Sequence, residues 1–146
     1  MTDNTELIDR TYRAMAEGDI ETVLDMIDPS ITIWQTEALP WGGRYEGIDG
    51  FAEFFGKLRG TITSKVEVEQ IFEAGDHVVE VGRTRGTVNA TGAEFDVAEV
   101  HIWELRDGKA VSFRAYIDTP SMLAALETDR PLRSASDRRR PGAPDR

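Results

Sequence analysis

The sequence predicts an α+β fold in which a cone-shaped, curved antiparallel sheet wraps around helices, and three observations carry that prediction. Residues 1–60 hold three stretches of helical periodicity around one short β-branched run. Residues 64–118 hold four runs rich in Val, Thr, Phe and Trp, separated by turn residues. The length, 146 residues, suits one domain but not two. Helices on one face of such a sheet leave one end of the cone open, and an opening of this kind is a natural ligand cavity.

Each element has a local reason. Leu7, Ile8, Thr11, Tyr12 and Met15 share one stripe of a first helix, with Asp3 and Glu6 as a capping pair before it and Gly18 after it. Asp19 then caps a second helix, whose Ile20, Val23, Leu24 and Ile27 face one way until Asp28-Pro29 stops it. The run ITIWQT at 31–36 reads as a strand, and EALPWGGRYEG after it as an aromatic loop. A third helix carries Ile48, Phe51, Phe54, Phe55 and Leu58 at core spacing and closes at Gly60. Turns are expected at Ala74-Gly75-Asp76, Asn89–Gly92 and Asp107-Gly108; the last suits a two-residue hairpin, whose central residues need positive φ. A short helix follows from Thr119-Pro120 through Leu126. Residues 1–126 therefore form the expected domain, and residues 127–146, rich in Arg, Pro and Ser, an expected flexible tail.

Composition narrows the function. No cysteine is present, so thiolate metal sites and thiol nucleophiles are excluded, and with two histidines a metal site is not the expectation; no cofactor is expected either. Residues 130–146 carry a net +4, whereas residues 1–129 carry eleven Lys and Arg against 25 Asp and Glu, a net −14. A body that acidic repels phosphate backbones, so nucleic acid is not an expected partner. With no apolar run of membrane-spanning length and no secretory pattern at MTDNTELIDR, the expectation is a cytoplasmic protein without a membrane partner.

The candidate chemistry lies between Ala93 and Arg106. On that strand Phe95, Val97, Glu99, His101, Trp103 and Leu105 share one face, and four of the six are large and apolar, so this face is expected to line the cavity. A carboxyl group held in apolar surroundings resists ionisation and becomes a proton donor near neutral pH; His101, two residues along, can act as its complementary acid or base. The bland alternative pairs Glu99 with Arg83 or Arg85 and leaves His101 a hydrogen-bonded core residue. Trp34, Gln35, Trp41, Tyr45, Phe55 and Trp103 are the candidate substrate-binding walls, with core packing as the alternative use of the tryptophans. On the last strand Val111, Phe113, Ala115 and Ile117 form the apolar face, and Arg114 and Asp118 read as structural. Val100, Ile102, Tyr116 and Arg114 on the sheet's other face predict a homodimer.

AEGDIETVLDMI followed by a strand, the stretch GGRYEGIDGFAEFFGKL, and FDVAEVHIWELRDGKAVSFRAYID together resemble the nuclear transport factor 2-like superfamily, in particular its SnoaL-like and ketosteroid isomerase-like members, over residues 5–126. The resemblance implies the cone-shaped fold and a small-molecule pocket; the superfamily includes isomerases, cyclases, hydrolases, dehydratases and proteins without catalysis, so fold alone does not choose. The isomerases' protonated carboxylic acid, a worked case of acid tuning by an apolar site, would fall on Glu99. Their aspartate base would fall on Gln35, which accepts no proton, and their first-helix tyrosine on Thr11, one residue from Tyr12. Glu37 or His101 would have to replace the base. The acid that many SnoaL-type cyclases carry on the last strand would fall near Ala115, and the Asp-Arg-Asp set of the epoxide hydrolases finds no evident counterpart. The expected function is acid–base proton transfer on a small apolar, ring-containing molecule, with a non-catalytic hydrophobic-ligand or dimerisation module as the alternative.

Overall fold

Two helices, α1 (Asp3–Glu17) and α2 (Ile20–Asp25), open the chain in a computed structural model that describes residues 3–128. The α1 stripe buries Ile8, Thr11 and Tyr12 as its spacing requires, and Gly18, at φ 74°, reverses the chain in the left-handed region that glycine enters without strain. Asp19 caps α2 by accepting the Thr22 N–H at 3.2 Å. The second helix is shorter than its pattern suggests: only Val23 is buried, while Ile20 and Leu24 are exposed. Ile27, expected on that helix, already opens β1 (Ile27–Gln35), opposite Ala110. Pro29 disfavours helix at Asp28, and the strand's pairing shifts register between Ile27 and Thr32, where a missing N–H is tolerated.

The aromatic loop hides a short strand, β2 (Gly43–Glu46), whose Arg44 and Tyr45 pair with Trp34 and Ile33. Helix α3 (Gly47–Thr61) buries Phe51 and Phe54; it runs through Gly60 rather than closing there, and its Ile48 is exposed. Strands β3 (Ile62–Ala74), β4 (His77–Val88), β5 (Glu94–Arg106) and β6 (Lys109–Ile117) then form the meander, followed by α4 (Thr119–Leu126). The β5–β6 turn has positive φ at both Asp107 and Gly108, as expected of a tight hairpin. Asp118 caps α4. Residues 129–146 of the expected tail lie outside the described residues.

All six strands form one sheet in the order β2-β1-β6-β5-β4-β3, antiparallel except where β1 lies parallel to β6. Strand alternation gives it two different faces. One is buried under the helices and includes Ile31, Ile33 and Gln35 of β1, Val78 and Glu80 of β4, Phe95 to Leu105 at odd positions of β5, and Phe113 and Ala115 of β6. Trp41, Trp103 and Phe54 are almost wholly enclosed there, and side chains of that size contribute roughly 1.5–3 kcal/mol each by leaving water. The other face carries Trp34, Arg114 and Tyr116, with Trp34 against Tyr116 at 5.3 Å between rings and the Arg114 guanidinium 5.6 Å from the Trp34 ring.

Candidate active site

The cone encloses a cavity of about 80 Å³, walled by α1, α3, α4 and the covered face of the sheet. Gln35, Trp41, Phe55, His101 and Trp103 line it, as expected, together with Tyr12, Phe54, Phe113 and Met122. Among the described residues its polar lining consists of Tyr12, Gln35, Ser64, Thr84 and His101, and no charged side chain reaches it. Gln35 is itself held in place, accepting the Trp41 indole N–H at 2.7 Å.

Two expected wall residues lie elsewhere. Trp34 sits on the sheet's opposite face: β1 points Ile33 and Gln35 inward, so the residue between them points out. Tyr45 packs edge-on against Phe54, behind the cavity wall, and its hydroxyl donates to the carbonyls of Trp41 and Gly42 at 3.0 and 3.1 Å. It borders a shallow polar hollow outside the cone with Arg44, Glu46, Asp49 and Lys57.

Glu99 and His101 do come together, and with a third group that sequence reasoning missed. Glu80 of β4 stands directly opposite His101 in register, and Gly82 stands opposite Glu99. The His101 ring therefore meets a carboxylate at each nitrogen: Nδ1 is 3.3 Å from Glu80 Oε1 and Nε2 is 3.7 Å from Glu99 Oε2. Both glutamate side chains are fully buried. Arg83 and Arg85, the expected structural partners of Glu99, face the other way and bind Asp96 at 2.6 and 3.2 Å. Glu99 does not itself line the cavity; His101 and Tyr12 are the members of this group that do.

Tyr12 ties the cluster to α1. Its hydroxyl lies 2.8 Å from His101 Nδ1 and accepts the Trp103 indole N–H at 2.8 Å. Trp103 donates to the Tyr12 oxygen, and Tyr12 shares with His101 Nδ1 one hydrogen bond whose direction follows the imidazole tautomer. Thr11, the position to which the resemblance assigns a tyrosine, instead donates to the Leu7 carbonyl within its own helix at 2.8 Å. Tyr12, one residue later, lies on the side of α1 that meets His101.

Burial governs the protonation of this group. It pushes Glu99 up to about 9, reinforced by the neighbouring Glu80 carboxylate and its charge. Burial also raises Glu80 to about 7, held back by its neighbours Glu99 and Tyr12. His101 is pushed down to about 3 by desolvation, and Tyr12 stays protonated because burial and the Glu80 charge raise it well above its usual value. At neutral pH the cluster holds a protonated Glu99, a neutral imidazole, and Glu80 near its midpoint. The arrangement can therefore store a proton on a carboxyl group and present a neutral, hydrogen-bonded imidazole to whatever enters the cavity.

A bent sheet closed by helices around an apolar cavity is the nuclear transport factor 2-like fold, which solved structures share with this chain. Within that class the chain belongs to the SnoaL-like domain family, which it matches over residues 8–113. No curated protein matches it. Among solved structures it is similar to an NTF2-like protein of unknown function from Burkholderia pseudomallei, with a TM-score of 0.81, 24% identity, and coverage of 88% of this chain and 100% of that one. TerC, co-crystallised with polyporic acid, aligns at a TM-score of 0.79 and 26% identity over 87% of this chain and 100% of its own. A protein with a ketosteroid isomerase-like fold from Catenulispora acidiphila, in complex with trimethylamine, shares the fold at a TM-score of 0.71 and 17% identity, covering 83% of this chain and 92% of that one. Among the described residues no helix is long and apolar enough to cross a membrane.

Proposed function

We propose that this chain is an enzyme of acid–base proton transfer, of isomerase, cyclase or hydrolase/dehydratase type, acting on a small apolar ring-containing molecule. One observation carries the reading: a buried, protonated Glu99 stands beside a neutral His101 whose ring reaches an apolar cavity. In this reading His101, backed by Tyr12, touches the substrate, and Glu99 and Glu80 supply or take the proton through it. Trp41, Phe55, Trp103 and Gln35 hold the ring, and a lining without a cationic side chain among the described residues favours a neutral molecule. The similarity to a protein crystallised with polyporic acid supports a cyclic organic ligand. Its test is a thermal-shift screen of steroids, polyketides, terpenes and aromatic acids, followed by product analysis of each stabilising compound. Glu99→Gln should retain the shift and lose conversion; conversion that survives in Glu99→Gln would remove the acid from the mechanism.

The position of the carboxyl groups favours a second reading, since Glu80 and Glu99 lie behind the cavity wall rather than in its lining. A protein that only holds a hydrophobic metabolite does not need an acid to reach it, and in that case every stabilising compound would be recovered unchanged.

The partner reading is a homodimer through the uncovered sheet face, where Tyr116 is 40% exposed beside Trp34 and Arg114.

A further inference from the structure

We propose that Glu80, Glu99 and His101 form a binding site for one divalent transition-metal ion of the zinc class. The proposal goes beyond the acid–base reading and does not rest on it, since proton and ion are alternative occupants of one cluster.

The donor set comes first. One imidazole nitrogen and one oxygen from each carboxylate all lie within 4.8 Å of one another, and all three residues are buried. The closest approaches are 3.3 Å from Glu80 Oε1 to Nδ1 and 3.7 Å from Glu99 Oε2 to Nε2, on opposite nitrogens of the ring, so an ion held by one nitrogen is met directly by the nearer glutamate and reached by the other through a turn of its side chain. The ligands sit on paired strands rather than on loops, so the backbone already fixes their approach.

The second observation is independent of that spacing. The four carboxylate oxygens of Glu80 and Glu99 receive no hydrogen bond from any N–H or hydroxyl among the described residues, although both residues are buried. Buried carboxylates are ordinarily paired with a cation or bound to a metal. Arg83 and Arg85 cannot serve, being engaged by Asp96 and Glu67 on the opposite face. Gly82 gives the Glu80 carboxylate the space it occupies: a Cβ there would lie 2.7 Å from Glu80 Oε2.

Donor chemistry selects the ion. Imidazole with carboxylates suits zinc and its transition-metal neighbours, whereas magnesium and calcium prefer all-oxygen shells. Three protein ligands leave a fourth position for water, the arrangement of hydrolytic rather than structural zinc sites. Binding must displace the proton held by the carboxyl pair.

Isothermal titration of the chelator-treated full-length chain with zinc chloride, and separately with magnesium chloride, in two buffers of different ionisation heat tests this without any substrate. The expected result is one equivalent of zinc, heat that differs between buffers because protons leave, no saturation by magnesium, and binding weakened at least about tenfold in both Glu80→Gln and Glu99→Gln. Both variants keep the side-chain shape, a thermal melt confirms their folding, and either one alone decides if the other fails to fold. An absent zinc isotherm in the native chain, or zinc affinity that either folded variant leaves within tenfold, would overturn the site. Neither result bears on conversion of an organic substrate by the chelated chain, which is the separate test of the acid–base reading.

Discussion

Glu80 and Glu99 reach one buried corner from neighbouring strands, and the histidine between them is neutral, so each residue's charge depends on the others. The two carboxyls are raised in the folded chain, to about 7 and about 9, above an unfolded value of 4.5. Each therefore favours the folded state below pH 4.5 and loses that contribution as pH rises to its folded value. His101 works oppositely, losing its contribution as pH falls from 6.5 toward 3. Above pH 6.5 only the carboxyls act, so thermal stability should fall from there to about pH 9. The slope is about 1.4 kcal/mol per pH unit for each proton, and Glu80→Gln or Glu99→Gln should flatten it by one proton's worth in melts taken across that range. Strand alternation alone placed Glu99 and His101 on the covered face. The same rule places Trp34 outward, between Ile33 and Gln35, but a bulky aromatic beside an apparent loop reads just as easily as a pocket wall. Glu80 was harder to see because β4 alternates weakly: Val78, Val79 and Val81 put apolar residues on both faces, so its sequence does not say which one is covered. Tyr12 lay on the first-helix stripe, yet only the angle at which α1 crosses the sheet decides that it, rather than Thr11, meets His101.

At the scale of elements, β3 and β4 determine whether the site exists. Gly82 pairs with Val68 just before the register shift between Val68 and Gln70, and a Cβ at Gly82 would lie 2.1 Å from the Glu67 carbonyl oxygen as well as against Glu80. Gly82→Ala should therefore destabilise the fold by roughly 1–3 kcal/mol, read from denaturant melts, because backbone rather than a flexible side chain is in the way. A variant as stable as the parent would mean that β3 does not approach β4 this closely. Such close approaches leave no mark in hydrophobic patterning, and neither did β2, whose four residues are too few to show a period. Elements whose cues are local were legible: the Asp107-Gly108 hairpin and α4, capped by Asp118 before Pro120, fall where turn and cap chemistry require. The second helix was over-read, since Ile20 and Leu24 continue its pattern on a side that nothing covers among the described residues.

For the whole molecule, the covered and uncovered faces of one sheet divide the proposed functions. The covered face makes the cavity and the acid–histidine–tyrosine cluster; the uncovered face, with Trp34, Ile102 and Tyr116, is the one on which a second copy would dock. Light scattering on the purified chain should give twice the chain mass at micromolar concentration, and Tyr116→Glu should return it to a monomer without disturbing the cluster. A monomeric parent would leave that face without its proposed partner. The reaction is not written at this scale, because related cones host several chemistries and the difference lies in a handful of side chains. What joins the three scales is a carboxyl group that keeps its proton because the folded sheet denies it water. The most direct test is a site-resolved carbon NMR titration of the Glu99 carboxyl in the native chain and in Glu80→Gln. The account predicts a midpoint raised to about 9 in the native chain and a lower one when Glu80 is replaced. A midpoint at the ordinary value of 4.5, unmoved by Glu80→Gln, would contradict it.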